Sequence, residues 1–534
     1  MRATLRFGTG ATVIAVAILL ATFSGCFTNS SETADGDYIP IPYPSAGDGD
    51  ATDGGTDGGT DGGTDGGTDG GTDGGTDGGT DGATDGGTDG GTDGGTDGET
   101  DGGTDGATDG GTDDGDGEAD VDGADDAAEV DGEDTSGDGS GDGGGTEPQA
   151  GQLTAGSFDD NLNLQTFQSF INETLQADAE GYLPNLLLGQ RIIVTVQDEQ
   201  GNPVPDAQVV ITPEEQDEQD PDAAPLLDQT TGTDGRVLFL TALDDGTEAT
   251  SYTLTVQPPD EEADPIIEIR DLNNLEWDVT LAEDTGLAAN QLDLAFVIDA
   301  TGSMSDELEY VQAEVDGIAA AVAEVFPEVL QRYALILYRD QGDTYVVRTF
   351  DFTESLAEFQ DNLDAQSADQ GGDWPEAMHL ALEDALELDW RETRTARVMF
   401  LIADAPPHSE YADRMLDAMQ ALRAATIAVY PVAASGAGST QDTELEFYMR
   451  TLAFLTLSEY LFLTDDSGIG DTHAEPHIPC YNVQRLDHLM IRMIRAELTG
   501  ERVEADADNI IRTVGNPVNG VCEEDDGQEQ QNGE

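Results

Sequence analysis

From about residue 290 the chain alternates between two apolar patterns. Runs such as "LDLAFVID", "YALILY" and "RVMFLIAD" are apolar on both faces, which marks strands covered on each side. Between them, "SDELEYVQAEVDGIAAAVAEVF", "PEAMHLALEDALEL" and "ADRMLDAMQALRAA" space their apolar residues three and four apart, predicting amphipathic helices. "YVVRTFDF", "TIAVYPVAA" and "YLFLT" read as further strands, "EFYMRTLAFLT" and "RLDHLMIRMIRAEL" as further helices. This alternation predicts a doubly wound α/β domain over 290–500, built on a mainly parallel sheet. In such sheets ligands sit beyond the carboxyl ends of the strands.

The pattern before it is different. Over 189–285, "RIIVTVQ", "QVVIT", "GRVLFLTA" and "SYTLTVQ" are short apolar runs bounded by turn residues such as "DEQGNPVPDA". They predict a small antiparallel β-sandwich. Residues 151–188 form a short preface, in which Leu164, Phe167, Phe170 and Ile171 fall near helical spacing. Residues 501–534 read as a C-terminal tail.

Upstream the apolar pattern vanishes. From Thr52 to Thr112 the chain repeats T-D-G-G every four residues, and it then continues acidic and glycine-rich to about 150. No apolar face can form there, so 26–150 is predicted to be a disordered tether with a reach of roughly 60 Å. Charge sharpens the picture. The chain carries 113 acidic and 19 basic side chains, for a net charge of −94, and every basic residue is Arg. Such a field repels nucleic acid and anionic lipid and attracts divalent cations, so nucleic-acid binding is excluded as an expectation.

The first residues bear on compartment. Arg2 and Arg6 precede the apolar run "ATVIAVAILLATF", which is followed by "SGC". A positive start, a short apolar centre and small residues predict a secretory signal over 1–25, and the run is too short to span a bilayer. "FSGC" resembles a bacterial lipobox, which implies Cys26 as a lipidated first residue; Phe23 stands where that motif usually has leucine. An ordinary signal peptide cut nearby is the alternative. Phe27 after the cysteine implies, by the same resemblance, an outer-membrane or cell-surface location with the membrane held through the lipid. Cys480 and Cys522 are the remaining cysteines. In an exported, oxidising setting they are candidates to pair, with two free thiols as the alternative.

Candidate chemistry lies at the strand ends. "DATGSM" stops an apolar strand on Asp299 and follows it with Thr301, Ser303 and Ser305. "GGDWPEA" supplies Asp373 before a helix, and "LIADAPPH" supplies Asp404 after a strand. A hard cation such as Mg²⁺ requires oxygen ligands and keeps several waters, so gathered carboxylates and hydroxyls suit it. Each residue also has a simpler reading. The hydroxyls can cap the first helix, and Asp373 with Glu376 has the form of a capping box with Pro375 in its first turn.

The constellation resembles the von Willebrand factor A domain and its metal-ion-dependent adhesion site. Asp299, Thr301 and Ser303 match the family's Asp-x-Ser/Thr-x-Ser motif, and Asp404 its third-loop aspartate. The second loop usually offers threonine, where Asp373 stands here. The resemblance implies a metal site of Asp299, Thr301, Ser303, Asp373 and Asp404 for Mg²⁺, Mn²⁺ or Ca²⁺. A third carboxylate would tighten cation binding and weaken the metal's pull on a partner's carboxylate. "V-x-D-x-x-G-N-P-V-P-D-A-x-V" with "T-D-G-R-V" resembles carboxypeptidase regulatory-like domains of transthyretin type, implying a non-catalytic module. The whole plan resembles exported bacterial lipoproteins that carry such a β domain before an A domain. No nucleophile–base pair or phosphate loop stands out, so no enzymatic activity is expected. The expectation is a cell-surface adhesion lipoprotein with an extracellular protein or glycan partner. The alternative is a structural envelope component in which the cation only stabilises the fold.

Overall fold

A computed structural model of the protein describes residues 148–523 apart from 215–223, 248, 261, 283–288, 306–307, 373, 435–439 and 470–471. The proposed signal segment, Cys26, the T-D-G-G repeats and Asp373 lie outside the described residues. Among the described residues no helix is long and apolar enough to cross a membrane.

The chain order opens with β1 (Thr154–Phe158) and α1 (Leu164–Ala177). Then come β2 (Arg191–Asp198), β3 (Gln208–Pro213), β4 (Leu227–Thr230), β5 (Arg236–Leu240), β6 (Ser251–Gln257), β7 (Ile266–Asp271) and β8 (Glu276–Leu281). These strands make a three-stranded sheet in the order β5-β2-β8 and a four-stranded sheet in the order β4-β3-β6-β7. Between the sheets lie Ile192, Val194, Val209, Ile211, Phe239 and Trp277, all buried. One pairing departs from the antiparallel expectation, because β2 and β8 run parallel. The first and last strands of the segment meet side by side after the chain has crossed to the other sheet and back.

Next follow β9 (Gln291–Asp299), α2 (Leu308–Val325), β10 (Leu330–Tyr338), β11 (Val347–Thr353), α3 (Leu356–Asp364) and α4 (Met378–Leu386). The chain continues through β12 (Thr395–Ala403), α5 (Ala412–Ala424), β13 (Ala428–Ala433), α6 (Thr440–Leu455), β14 (Tyr460–Thr464), β15 (Tyr481–Arg485), α7 (Leu486–Thr499) and β16 (Arg512–Val514). A single nine-stranded sheet runs β11-β10-β9-β12-β13-β14-β1-β15-β16. The five strands from β10 to β14 are parallel, as the two-faced apolar runs predict. The flanks are antiparallel.

Two boundaries differ from the sequence expectation. The preface contributes β1, which sits between β14 and β15 in the main sheet rather than only a helix on its surface. Part of the tail contributes β16 at the sheet edge, and Cys480 and Cys522 are disulfide-bonded with their Cα atoms 5.5 Å apart. Five residues such as "TAGSF" carry too few apolar positions to announce a strand; insertion between two partners makes it one.

The two β regions are fused. Ile192 and Val194 face the core between the small sheets, while Ile193, Leu238 and Leu240 face the other way. They join Phe158, Phe167 and Leu183 in the core beneath the large sheet. Polar contacts reinforce this docking. Arg423 pairs with Asp244, the Arg394 N–H donates to Asp206 Oδ2 at 2.7 Å, and Thr233 Oγ1 donates to Glu497 Oε2 at 3.0 Å.

Candidate functional site

The parallel register brings three strand ends together. Asp299, the last residue of β9, pairs with Tyr338 at the end of β10. On its other side β12 is in register through Ile298 and Ile402, so Asp404 emerges next to Asp299. The chain order reverses direction across the sheet between β9 and β12, and this crevice is where an open α/β sheet leaves room for a ligand.

Asp299 and Thr301 are fully buried and Asp404 nearly so, whereas Ser303 is exposed. Asp299 Oδ1 accepts from the Thr301 N–H at 2.9 Å and from Thr301 Oγ1 at 2.7 Å. Thr301 Oγ1 lies 3.2 Å from Ser303 Oγ. Asp299 Oδ2 is buried, beside the Tyr338 hydroxyl. Burial, then the Asp404 charge, pushes the Asp299 carboxyl up to about 8. Tyr338, buried beside it, is held well above the ordinary phenol range by burial and then by the Asp299 charge.

The loop that carries Asp373 also brings a residue read from sequence only as a helix cap. Glu376 is 2% exposed, its N–H donates to Pro406 O at 3.0 Å, and its Oε2 is buried without a partner. A Cβ at Gly371 would stand 3.1 Å from Glu376 Oε1 and 2.9 Å from Thr301 Cβ, so only glycine lets this loop close over the site. Gly371 has φ +70°, which reinforces that requirement. Burial, then Asp299, Asp340 and Asp404, raises the Glu376 carboxyl to about 10. Pro375 one position before it was the available signal for a fixed backbone, but burial of the following carboxylate is not readable from spacing.

Arg339 and Asp340, which follow β10 directly, have separate partners. Both are buried, and Arg339 donates to Ala300 O, Ser367 O and Gln370 Oε1 at 2.9, 2.7 and 3.2 Å. Asp340 instead faces His408 Nε2 at 2.6 Å, giving His408 a carboxylate partner. His379 is fully buried and stacked on Tyr411, and burial, then the Arg414 charge, lowers it to about 4. His473 and His477 are engaged separately, with Asp465 and Glu446.

Among the described residues no three carboxylate, imidazole or thiolate groups converge closely enough to enclose a metal ion by themselves. The arrangement is instead two neighbouring aspartates with two hydroxyls, a donor set of the kind Mg²⁺ completes with water.

Residues 293–468 match the family model described as the von Willebrand factor A domain. An ariadne-like RING finger protein, R811, of Acanthamoeba polyphaga mimivirus is 30% identical over 117 residues, which is 22% of this chain and 11% of that protein. The alpha-protein kinase vwkA of Dictyostelium discoideum is 29% identical over 131 residues, 24% of this chain and 21% of that one. This chain thus spans only 11% and 21% of the length of those relatives. A crystal structure of the conserved hypothetical protein BatB from Bacteroides thetaiotaomicron aligns over 39% of this chain and 98% of its own, at 14% identity and a TM-score of 0.27, too low to speak to the fold. With a parallel sheet, an aspartate–hydroxyl turn at one strand end and an aspartate loop at the next, residues 293–468 form a von Willebrand factor A domain.

Proposed function

We propose that the protein is a surface lipoprotein, anchored through Cys26, whose A domain binds a divalent cation and through that edge an extracellular protein or glycan. The observation that carries this reading is the buried Asp299 carboxylate beside the charge of Asp404, with the Thr301 and Ser303 hydroxyls on the same turn. Two carboxylates desolvated side by side cost several kcal/mol, and a cation removes that cost.

Asp299 and Asp404 would hold the ion as carboxylates, and Thr301, Ser303 and Asp373 would complete the shell with water. A bound Mg²⁺, Mn²⁺ or Ca²⁺ supplies charge neutralisation and an open coordination position for a ligand oxygen. Thr301 orients Asp299 through its two hydrogen bonds, and exposed Ser303 stands on the solvent side, where a ligand would arrive. The protein acts by binding and not by catalysis. In this reading the small sheets are a carboxypeptidase regulatory-like module and the acidic repeats a spacer from the outer membrane.

Titration of the full chain with Mg²⁺, Mn²⁺ and Ca²⁺ beside Asp299→Ala tests the reading. A tight site present in the wild type and missing in the variant is expected; equal binding by both would sink it. The structural alternative, in which the cation only stabilises the fold, draws on the complete burial of Asp299 and Thr301. Partner capture from an extracellular extract with and without chelator separates the two, since capture that ignores chelator favours the structural role.

A further inference from the structure

The small sheets and the α/β domain enclose a second crevice, of about 670 Å³ counting the solvent at its mouth. One wall carries Asp206, Asp234 and Arg236, the other Arg394, Arg397 and Arg423. Arg397 is the third residue of β12, so this crevice lies at the amino end of that strand, roughly 20 Å from Asp404 past its other end. Four of the chain's 19 basic side chains thus face one space. Two are neutralised, Arg236 by Asp234 and Arg423 by Asp244. Arg394 and Arg397 are different. Among the described residues no ion pair involves either guanidinium, and the Nε of each is buried with no hydrogen-bond partner. Burial holds the Arg397 guanidinium below its ordinary range, against the attraction of Asp206 and Asp293. Asp293 is already paired with Arg332 and Arg391, and Asp206 Oδ2 accepts the Arg394 N–H at 2.7 Å. Burial, then the Asp234 charge, raises the Glu497 carboxyl on the same wall to about 7, which thins the negative charge further. The backbone adds an independent sign. Asp206, Arg394, Thr426 and Leu457 all line the crevice with φ of +60°, +53°, +54° and +56°, four of the seven non-glycine residues of positive φ among the described residues. Such conformations are disfavoured outside glycine, most of all for a β-branched residue such as Thr426, and they gather where a ligand clamp is fixed in advance.

We propose that this crevice binds a small tetrahedral oxyanion, phosphate or sulfate, free or as the end group of a larger molecule, with Arg394 and Arg397 as its cationic contacts. The inference is independent of the cation reading, since it concerns the opposite edge of the sheet. A guanidinium presents parallel N–H donors that match an oxyanion, and a buried cation without a partner carries a desolvation cost that the anion removes. Asp206 opposes the ligand from within the same space, yet two guanidiniums against one carboxylate leave the local balance positive. The net charge of −94 repels anions at long range. Salt screens that field beyond about 10 Å and leaves a partly buried contact largely intact. An anion held between the two walls also stabilises their docking by mass action.

The test titrates the full chain by calorimetry with inorganic phosphate, inorganic sulfate and glycerol phosphate, at constant ionic strength made up with chloride. Chelator is present throughout, so the strand-end site stays empty and failure here leaves the cation reading untouched. The wild type is expected to bind at least one of the three, with a higher melting temperature in its presence. Arg394→Gln and Arg397→Gln are each expected to weaken that step about tenfold or more. Arg512→Gln, which removes the same charge from β16 at the sheet edge, should leave it unchanged. Asp206→Asn removes the opposing carboxylate and keeps a side chain suited to φ +60°. It should tighten binding about threefold or more, a gain that a misfolded variant does not produce. Tighter binding of glycerol phosphate than of the two inorganic ions assigns the crevice to a phosphorylated molecule, and the reverse order assigns it to the free ion. If the wild type binds none of the three, or if Arg394→Gln and Arg397→Gln bind as the wild type does, the proposal is overturned.

Discussion

Two buried charges show how single residues hold the fold. Arg450 is fully buried and pairs with Asp160 at 2.6 Å and Glu446 at 3.0 Å, with its guanidinium 4.2 Å over the Phe170 ring. It ties α6 to the preface, since Asp160 lies between β1 and α1. Arg450→Met leaves Asp160 buried without its cation and Glu446 with His477 alone, and a loss of about 3–5 kcal/mol is expected in chemical denaturation. Glu314, on α2, accepts from the Gly151, Gln152 and Leu153 N–H groups at 2.7–2.9 Å. Burial raises its carboxyl from 4.5 to about 7 against those hydrogen bonds. A raised carboxyl favours the protonated folded state, so its contribution is complete below about pH 4.5 and is lost as pH climbs through 7. A decline of up to about 3 kcal/mol from this group is expected over that window, and Glu314→Gln should flatten it in urea midpoints. A profile of unchanged slope would remove Glu314 from the account. At this scale the sequence is half legible. Asp299, Thr301, Ser303 and Asp404 stand out because small polar residues interrupt apolar runs. Glu376, Glu314 and the Asp340–His408 pair do not, because their partners are tens or hundreds of residues away and nothing local marks them as buried.

Among the elements, the strands of the parallel core were the plainest, since a run apolar on both faces has few other uses. The weakest were those that exist by virtue of their neighbours. β8 alternates Trp277, Val279 and Leu281 inward, a period-2 pattern less conspicuous than the longer runs. β7 carries Ile267 and Ile269 outward, more than 60% exposed, so its pattern opposes the usual reading. β1 is the clearest case. Gly156 at its centre lies under the Phe462 ring, where an added Cβ would stand 2.4 Å from Phe462 Cζ. A glycine counts against a strand in sequence, yet here the close approach demands it. Gly156→Val is expected to cost about 1–3 kcal/mol through overpacking and to speed hydrogen exchange selectively in β1, β14 and β15. Uniform exchange across the sheet would show that β1 is not an independent weak point.

For the molecule, the sandwich and the A domain behave as one unit. β2 and β5 are buried on both faces, so removing either side exposes Ile193, Leu238 and Leu240 or Val194, Phe239 and Trp277. One cooperative thermal transition is expected for residues 148–523, and two well-separated transitions would contradict the shared core. Reduction of Cys480–Cys522, 42 residues apart, should lower stability by about 4 kcal/mol without dividing that transition. The division into a β module and an α/β domain was readable because the hydrophobic period changes near 290. Their fusion was not, because a second buried face on a short strand looks like any apolar residue. The placement of β1 has one more consequence, for biogenesis. Thr154 pairs with Thr464, 310 residues downstream, and Ala155 with Gln484. Synthesis delivers this strand 310 residues before its β14 partner, so the segment must wait while more than half of the 534-residue chain is made. Closing so distant a contact makes for slow folding, and while it waits β1 exposes both of its own edges to any extended peptide nearby.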